Sequence, residues 1–485
     1  MFVLAIVLSR QIFSLSILHI IFATMVILTI LVLCIKYKCI KRFIAILVAF
    51  LVGTGYYFVG LATFNQQEYT GEVLVSARVK SVYHGGDYYS YILDDVKINL
   101  KHKNCCIGLF ISGDDALQRG DLISFEGKLK NVDLFNDGKL NSYYYRNNIA
   151  YKCTIKFADI TSSRGYTKLN ENIIKGFNDY LNDFMDKDIA GLVTTVLFGD
   201  KTELNPSVDY AYKSSGMSHL LAVSGMHIML LVTIITFLLS KIKIKRWIKF
   251  IILAVILCFF TYLCDFAPSI VRALIMGLIF SFSSVVGKKY DRLNSMALCA
   301  FIILLFRPFD VFDAGFVLSF MCVFCIFTLQ KPIKRALVKI GCNAKIADSL
   351  AVLFGVQIGL LPMLTIYSQT FNIFSLAINF VCVPLFESVF VITLAIVPIC
   401  VILPFMGFVL KYLGFVYFAV TILASAVGSI TWANLPLAKL NDILIFCTYA
   451  SIFILSGYIN LPKHKKVAYA LLVLAVGFGA TFALI

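Results

Sequence analysis

The feature that most constrains this chain is a succession of apolar stretches, each near the ~20 residues that a helix needs to cross a bilayer. They run roughly over 11–35, 43–63, 216–240, 250–264, 268–286, 293–306, 314–329, 347–366, 373–402, 405–432, 442–461 and 467–485. Of 485 residues, 60% are hydrophobic and 14% charged, against roughly 25% charged in a soluble domain. That excludes a soluble enzyme, a disordered chain and a secreted disulfide scaffold. The pattern predicts a polytopic α-helical membrane protein with about 12 spans, some of them broken or re-entrant.

Charge supports this reading and orients it. The chain carries 43 Lys and Arg against 27 Asp and Glu, formally +16, which at first resembles a nucleic-acid signal. The excess, however, crowds into five short loops between apolar stretches: Lys36, Lys38, Lys41 and Arg42; Lys241, Lys243, Lys245, Arg246 and Lys249; Lys288, Lys289 and Arg292; Lys331, Lys334, Arg335, Lys339 and Lys345; and Lys463, Lys465 and Lys466. Only Asp291 opposes them. Basic short loops mark the cytoplasmic side. Threading the spans from 36–42 places all five there, provided 373–402 crosses once, and leaves 64–188 outside.

The block 64–188 is nearly neutral, with 16 basic and 17 acidic residues. In GEVLVSARVKSVYHGGDYYSYILDDVKINL, β-branched and aromatic residues alternate across a Gly85-Gly86-Asp87 turn, a hairpin signal. RGDLISFEGKLK and IAYKCTIKFADI follow as further strands. Four or five strands in about a hundred residues predict a small extracytoplasmic β-barrel, OB-like in kind. Beyond 165, Leu169, Ile173, Phe177, Tyr180, Leu181 and Phe184 recur at helical spacing. This is an amphipathic helix, assigned to the outer membrane surface, with packing under the β-domain as the alternative. The organisation is then a transmembrane hairpin over 1–65, a β-domain over 66–163, an interfacial helix over 164–188 and a transmembrane domain over 189–485. Most of the 14 cysteines sit in apolar stretches, where a thiol is a small hydrophobe. Cys105, Cys106 and Cys153 lie in the outward block, where a pair forms a disulfide or all three stay free thiols.

Polar groups at membrane depth mark function or tight pairing. The richest cluster, SSGMSHLLAVSGMHI over 214–228, opens a span with Ser214, Ser215, Ser218, His219, Ser224 and His227, and with Gly216 and Gly225. Asp200, Lys201 and Glu203 follow a run, 189–198, that is too short to cross and is read as re-entrant. As a metal site the cluster is poor, because its histidines lie eight apart with no carboxylate between them. Ser224 with His219 or His227 would make an intramembrane Ser/His dyad, though without the G-x-S-x-G elbow. A polar lining and plain helix-packing glue are the other readings. Asp265 and Arg272, seven apart, are spaced to share a helix face, with Asp265 just preceding the helix as the alternative. Gln357, Asn379 and Glu387 punctuate later spans, and Pro362, Pro384 and Pro398 are placed to break or kink theirs. Together these favour a translocation path over a single reaction centre.

HLLAVSGMHI (219–228) closely resembles the signature of the ComEC-type competence proteins, the inner-membrane DNA channels of natural transformation. Its surroundings fit in order: LFGDKTELNPSVDYAYKSSGMS before it, then APSIVRALIMG (267–277), YDRLNSMALCAFIILLFRPFDVFDAGFVLSF (290–320) and QIGLLPMLTIYSQTFNIFSLAINFVCVPL (357–385). FNDGKLNSYYYRNNIAYKC resembles, less specifically, part of the family's outer OB-like domain. The resemblance implies a channel that passes single-stranded DNA inward, assisted by an extracytoplasmic DNA receptor, a cytoplasmic helicase-like ATPase motor and a separate nuclease. Many members end in a metallo-β-lactamase-like domain. This chain has no HxHxDH set and resembles the short form, so no nuclease, catalytic residue, metal or cofactor is expected in it. The motor is expected elsewhere because no G-x-x-x-x-G-K-[ST] loop is present.

Joined to that resemblance, the residues expected to line the path are Asp200, Lys201, Ser218, His219, Ser224, Gly225, His227, Arg272, Gln357 and Asn379. Single-strand grooves combine positive charge with aromatic platforms. In the β-domain the candidates are Tyr88, Tyr89, Tyr91, Lys97, Lys101, Lys103, Tyr144 and Arg146, with strand packing as the plainer role of each tyrosine. A secondary transporter for a small solute and an intramembrane hydrolase remain as alternatives. The first would usually show paired repeats, and none is evident.

Overall fold

The computed structural model describes residues 52–53, 68–69, 71–84, 88–112, 117, 119–132, 135–136, 139–140, 144, 147–163, 169–287, 290–307, 310–311, 313–368, 370–456 and 462–483. The expected hairpin within 1–65 falls almost wholly outside them, as do the Gly85-Gly86-Asp87 turn and Arg146. The chain divides into two units, Met1–Asn172 with Leu298–Asp313, and Ile173–Ala297 with Ala314–Ile485.

The first unit holds the strands β1 (Glu72–His84), β2 (Tyr88–Ile98), β3 (Lys101–His102), β4 (Cys106–Ser112), β5 (Leu122–Lys128), β6 (Lys130–Asn131), β7 (Phe135–Asn136), β8 (Lys139–Leu140), β9 (Ile149–Lys156) and β10 (Ile160–Ser163). Their period is two, as a half-buried sheet requires. Val73, Val75, Ala77 and Val79 of β1 are buried, and the residues between them are not. β1, β2 and β4 run antiparallel in succession, and β5 returns to pair with the other side of β1, which is a Greek key. β9 then adds to β4 in parallel, with Leu109 opposite Cys153. The sheet curls into a half-barrel. Although β1, β2 and β4 separate β5 from β9 in the ladder, a Cβ at Gly127 would lie 2.9 Å from Cys153 Sγ, so glycine admits the approach. Five long strands carry the sheet, and the short pieces extend it.

Arg78 grips Asp94 across β1 and β2 with Nε and Nη2 at 3.0 and 2.8 Å. Cys105, Cys106 and Cys153 are free thiols. Cys153 stands opposite Leu109, three residues along β4 from Cys106, or about 10 Å of strand. A disulfide needs Cα atoms within ~7 Å, so among the possible pairs a Cys106–Cys153 bridge does not fit this register.

The remaining described elements are α1 (Leu169–Asn182), α2 (Lys187–Phe198), α3 (Pro206–Ser214), α4 (Gly225–Ser240), α5 (Arg246–Leu263), α6 (Pro268–Val286), α7 (Arg292–Phe306), α8 (Ala314–Lys339), α9 (Ala344–Tyr367), β11 (Thr370–Asn372), α10 (Ser375–Ile402), α11 (Phe408–Gly428), β12 (Asn434–Pro436), α12 (Asp442–Leu455) and α13 (Lys463–Ala483). Among the described residues six helical segments are long and apolar enough to cross a membrane: α5, α6, α8, α9, Ser375–Val397 and Phe405–Gly428. α4, α7 and α12 are apolar but shorter.

Each apolar stretch within the described residues is helical, with three departures from expectation. The stretch 216–240 becomes helical only at Gly225. Pro362 lies inside α9, and α10 continues through Pro384 and Pro398, so these prolines do not end their helices. The short run of α2 is covered by protein, every residue from Ile189 to Phe198 being buried, which is the setting in which a re-entrant segment is tolerated. Finally, the stripe of α1 is taken up by packing only in part: Leu181 and the neighbouring Ile174 are buried in the core shared by α2 to α6, α10 and α11, with Phe177 and Tyr180 against it, and the Thr194 hydroxyl donates to Asn178 Oδ1 at 3.0 Å, while Leu169 and Ile173 remain exposed.

Lipid supplies no hydrophobic drive between helices, so small residues and hydrogen bonds hold such a bundle. Gly355 and Gly359 of α9 face Cys325 and Leu329 of α8, and Gly428 of α11 lies on Ser214 and Ala211 of α3. Tyr449 of α12 donates its hydroxyl to the Gly359 carbonyl at 2.8 Å.

Candidate functional site

The break before α4 organises the site. After α3 the chain turns at Gly216 (φ +78°), makes a short 3₁₀ turn over Ser218–Leu221, and runs extended through Ala222 and Ser224. Nothing here closes a regular ladder, so neighbouring side chains take up its backbone groups. Asn372 Nδ2 donates to the Ser214 carbonyl at 2.9 Å and to Asn434 Oδ1 at 3.0 Å. Asn372 itself is held in the ribbon of β11 and β12, opposite Asn434. Ser269 of α6 donates its hydroxyl to the Val223 carbonyl at 3.0 Å. Ser375 packs where a Cβ on Gly216 would stand, at 2.7 Å, and accepts from Gln357 Nε2 at 2.7 Å.

At the start of α4, the Ser224 N–H donates to His227 Nδ1 at 3.2 Å. This contact caps the helix and leaves Nε2 to carry the proton of the neutral ring. The imidazole stacks on Phe390 of α10, with centroids 4.0 Å apart and planes at 12°. His227 therefore meets the backbone of Ser224, and Ser224 faces it as the N-cap of a capping box that opens α4. Arg272 of α6 is 5% exposed. Its guanidinium lies over the Phe320 ring at 5.5 Å, and Nη2 is 3.0 Å from the place of a Gly225 Cβ. Glycine at 225 gives the cation room beside the first turn of α4.

The expected path residues separate into groups. Ser224, Gly225, His227 and Arg272 come together. Gln357 joins from α9 by way of Ser375. Asn379 is buried on α10 with Oδ1 unpartnered, as is Oε1 of Glu387. Ser218 and His219 are exposed. Asp200 turns back on the Thr202 N–H at 3.0 Å, and Lys201 pairs with Asp209 at 2.9 Å. Lys213 also pairs with Asp209. Burial opposes ionisation of Asp209, but the two lysines outweigh it and hold its carboxyl below the usual carboxylate range. Asp265 does not share a helix face with Arg272, because it sits in the turn before α6 at φ +51°.

In the β unit the proposed DNA contacts do not form one patch. Tyr91 is a core residue, 1% exposed, whose hydroxyl accepts from the Leu117 N–H at 3.2 Å. Its ring is therefore not offered to a base. Tyr89 is half-buried and stacks on it at 6.1 Å. Lys97 is eight residues further along β2, about 26 Å away, in a shallow cleft of about 290 Å³ with Ser76, Asp95, Ser124 and Thr161. Lys101 is exposed on β3, and Lys103 is half-buried just beyond it. Lys152 lies over the Tyr144 ring at 4.4 Å, a cation and an aromatic face already joined. Tyr88 opens β2.

Asn372, Ser375, Ser269, Phe320 and Phe390 complete the site without having been singled out in the sequence. Asn372 and Ser375 had a signal, as polar residues opening an apolar stretch. The phenylalanines had none, being two of 43.

These features define a class: a polytopic membrane protein whose helical bundle is interrupted around a buried polar cluster. The Competence protein family model matches residues 196–462, more than half of the chain, and the chain belongs to that family. ComE operon protein 3 of Bacillus subtilis is 26% identical over 51% of this chain and 31% of its own length. Recombination protein 2 of Haemophilus influenzae is 22% identical over 72% of this chain and 46% of its own. The chain thus spans less than half of either relative. No solved structure matches it.

Proposed function

We propose that this chain passes single-stranded DNA across the cytoplasmic membrane during natural transformation, as a channel with no catalytic step of its own. The observation that carries the reading is the interrupted segment 214–224 and the buried polar atoms about it. In hydrocarbon, an irregular backbone is tolerated only where protein covers it or where it lines a water-filled route. Among the described residues Asn379 Oδ1 is buried without a hydrogen-bond partner, and Arg272 adds a buried cation for a polyanion to meet. Hydrogen-bonding groups that hold weakly enough to release are what conduction needs. Family membership supports the same reading.

The β unit is read as an OB-like domain on the outer face that holds the strand at the mouth. Its Greek key with a fifth strand beside β4 is the strand count and order expected of that fold. The joined Lys152 and Tyr144 suit a single-strand groove. A receptor outside, a motor inside and a nuclease elsewhere complete the pathway in this reading.

The test is a deletion strain in a transformable host given end-labelled duplex DNA. Loss of cytosolic, nuclease-resistant label with surface binding intact is the expected result. Undiminished uptake in a host proven competent would overturn the assignment.

A further inference from the structure

The turn between α5 and α6 joins two residues that should not share such a backbone. α5 ends in a Schellman motif: the Asp265 N–H donates to the Tyr262 carbonyl and the Phe266 N–H to the Thr261 carbonyl, both at 3.1 Å. That motif calls for one left-handed residue, usually glycine, and Asp265 fills the place at φ +51°. Phe266 then repeats φ +51°, which the motif does not require and which is a true outlier for a bulky side chain. Strain of this kind persists where surrounding structure enforces it, and it gathers at functional sites.

The surroundings are those of the site. Cys264 Sγ contacts the Leu197 carbonyl at 3.8 Å, and Ser269 holds the Val223 carbonyl of the interrupted segment at 3.0 Å. Between these two ties the Phe266 ring stands 48% exposed, with its edge toward Tyr262 at 6.3 Å. Membrane anchoring does not explain the cost. Phe259, Phe280 and Trp432 are exposed to similar or greater degree, and none of them has a positive φ.

We propose that Phe266 is a stacking platform for a nucleobase of the passing strand, aimed from the interrupted segment by this strained turn. The inference rests on the DNA-passage reading above. The test uses the full chain in nanodiscs with two labelled strands of equal length, oligothymidylate and its abasic counterpart. Both strands carry phosphates, and only the first can stack.

The wild type is expected to prefer the base-bearing strand, and Phe266→Ala to cut that preference ~5-fold or more. Phe266→Trp keeps it. Phe266→Gly also loses it but melts about 2 °C above Phe266→Ala, because both lack the ring and only glycine takes the left-handed conformation without strain. A wild type without base preference, an alanine variant that retains it, a tryptophan variant that loses it, or a glycine variant that melts below the alanine variant would each overturn the proposal. If the wild type binds neither strand and deletion leaves uptake unchanged, the passage reading itself falls. If uptake needs the gene and only Phe266→Ala is silent, the platform alone falls.

Discussion

The β unit and the helical unit place polarity in opposite ways. In the β unit, charge lies toward the rim of a dry core. Arg78 and Asp94 pair across two strands at 15% and 21% side-chain exposure, while Val75, Leu93, Ile107, Leu109 and Ile111 fill the interior at 0%. In the helical unit the exposed faces are apolar, and polar groups such as Arg272, His227 and Asn379 turn inward at 1–6% exposure. Water solvates the outside of the first and hydrocarbon that of the second. A buried polar side chain is therefore an anomaly in one and the ordinary place of polarity in the other.

The largest expected effect breaks that contrast at its centre. On the proposed reading Arg272 is the buried cation that a phosphate meets, and a hydrogen bond to a charged partner contributes about 1.5–3 kcal/mol. Arg272→Leu is thus expected to lower transformation roughly 100-fold, and Arg272→Lys, which keeps the charge, by less. The measurement is transformant frequency normalised to the protein found in the membrane fraction. Full activity in the leucine variant would make Arg272 a packing residue and the inward polarity incidental.

Second comes the dry core of the β unit. Leu109 is fully buried, and Leu109→Ala should destabilise that unit by about 3 kcal/mol, read as earlier protease cleavage within 72–163 of the full chain. Ile422 of α11 is 52% exposed, and Ile422→Ala should change stability by less than ~0.5 kcal/mol. Similar losses in the two would show that exposure does not separate the units as argued. Third, Asn372→Ala leaves the Ser214 carbonyl and Asn434 without their donor. A buried group so stranded costs about 2 kcal/mol, read as a lower melting midpoint and reduced uptake together. An unchanged midpoint would mean that the interrupted segment does not depend on this clamp.

Much of this was legible in the sequence, for reasons that differ between the units. Period-two alternation placed the β strands because a sheet with one wet face must alternate. Length and hydropathy placed the helices because lipid tolerates little else. What stayed hidden was the use of short-range patterns by distant partners. The stripe of α1 looked like a membrane-surface helix, yet Ile174 and Leu181 pack on α2, and a stripe cannot say which apolar phase it meets. The apolar pattern starts nine residues before α4, because Met217, Leu220, Leu221 and Val223 are as apolar as a helix interior but bury without being α-helical. Tyr91 alternated like its neighbours, and alternation alone does not tell a core tyrosine from a platform.

The smallest prediction concerns a charge in the helical unit that behaves as charges do in the β unit. Asp209 of α3 pairs with Lys201 and Lys213, whose side chains are 48% and 60% exposed, so solvent screens both pairs and their joint worth is about 0.5 kcal/mol. Lys213 and Lys201 hold the folded carboxyl below its ordinary range. A depressed acid lends its stability fully above the unfolded value, near pH 4, and loses it as pH falls through the lower folded value. Asp209→Asn should therefore lower the melting midpoint slightly at pH 7, and the gap from wild type should close below pH 4. A gap that persists at low pH would show that Asp209 acts through neutral packing or hydrogen bonding. In that case it would belong with the inward-facing polar groups of the bundle, not with the rim charges of the sheet.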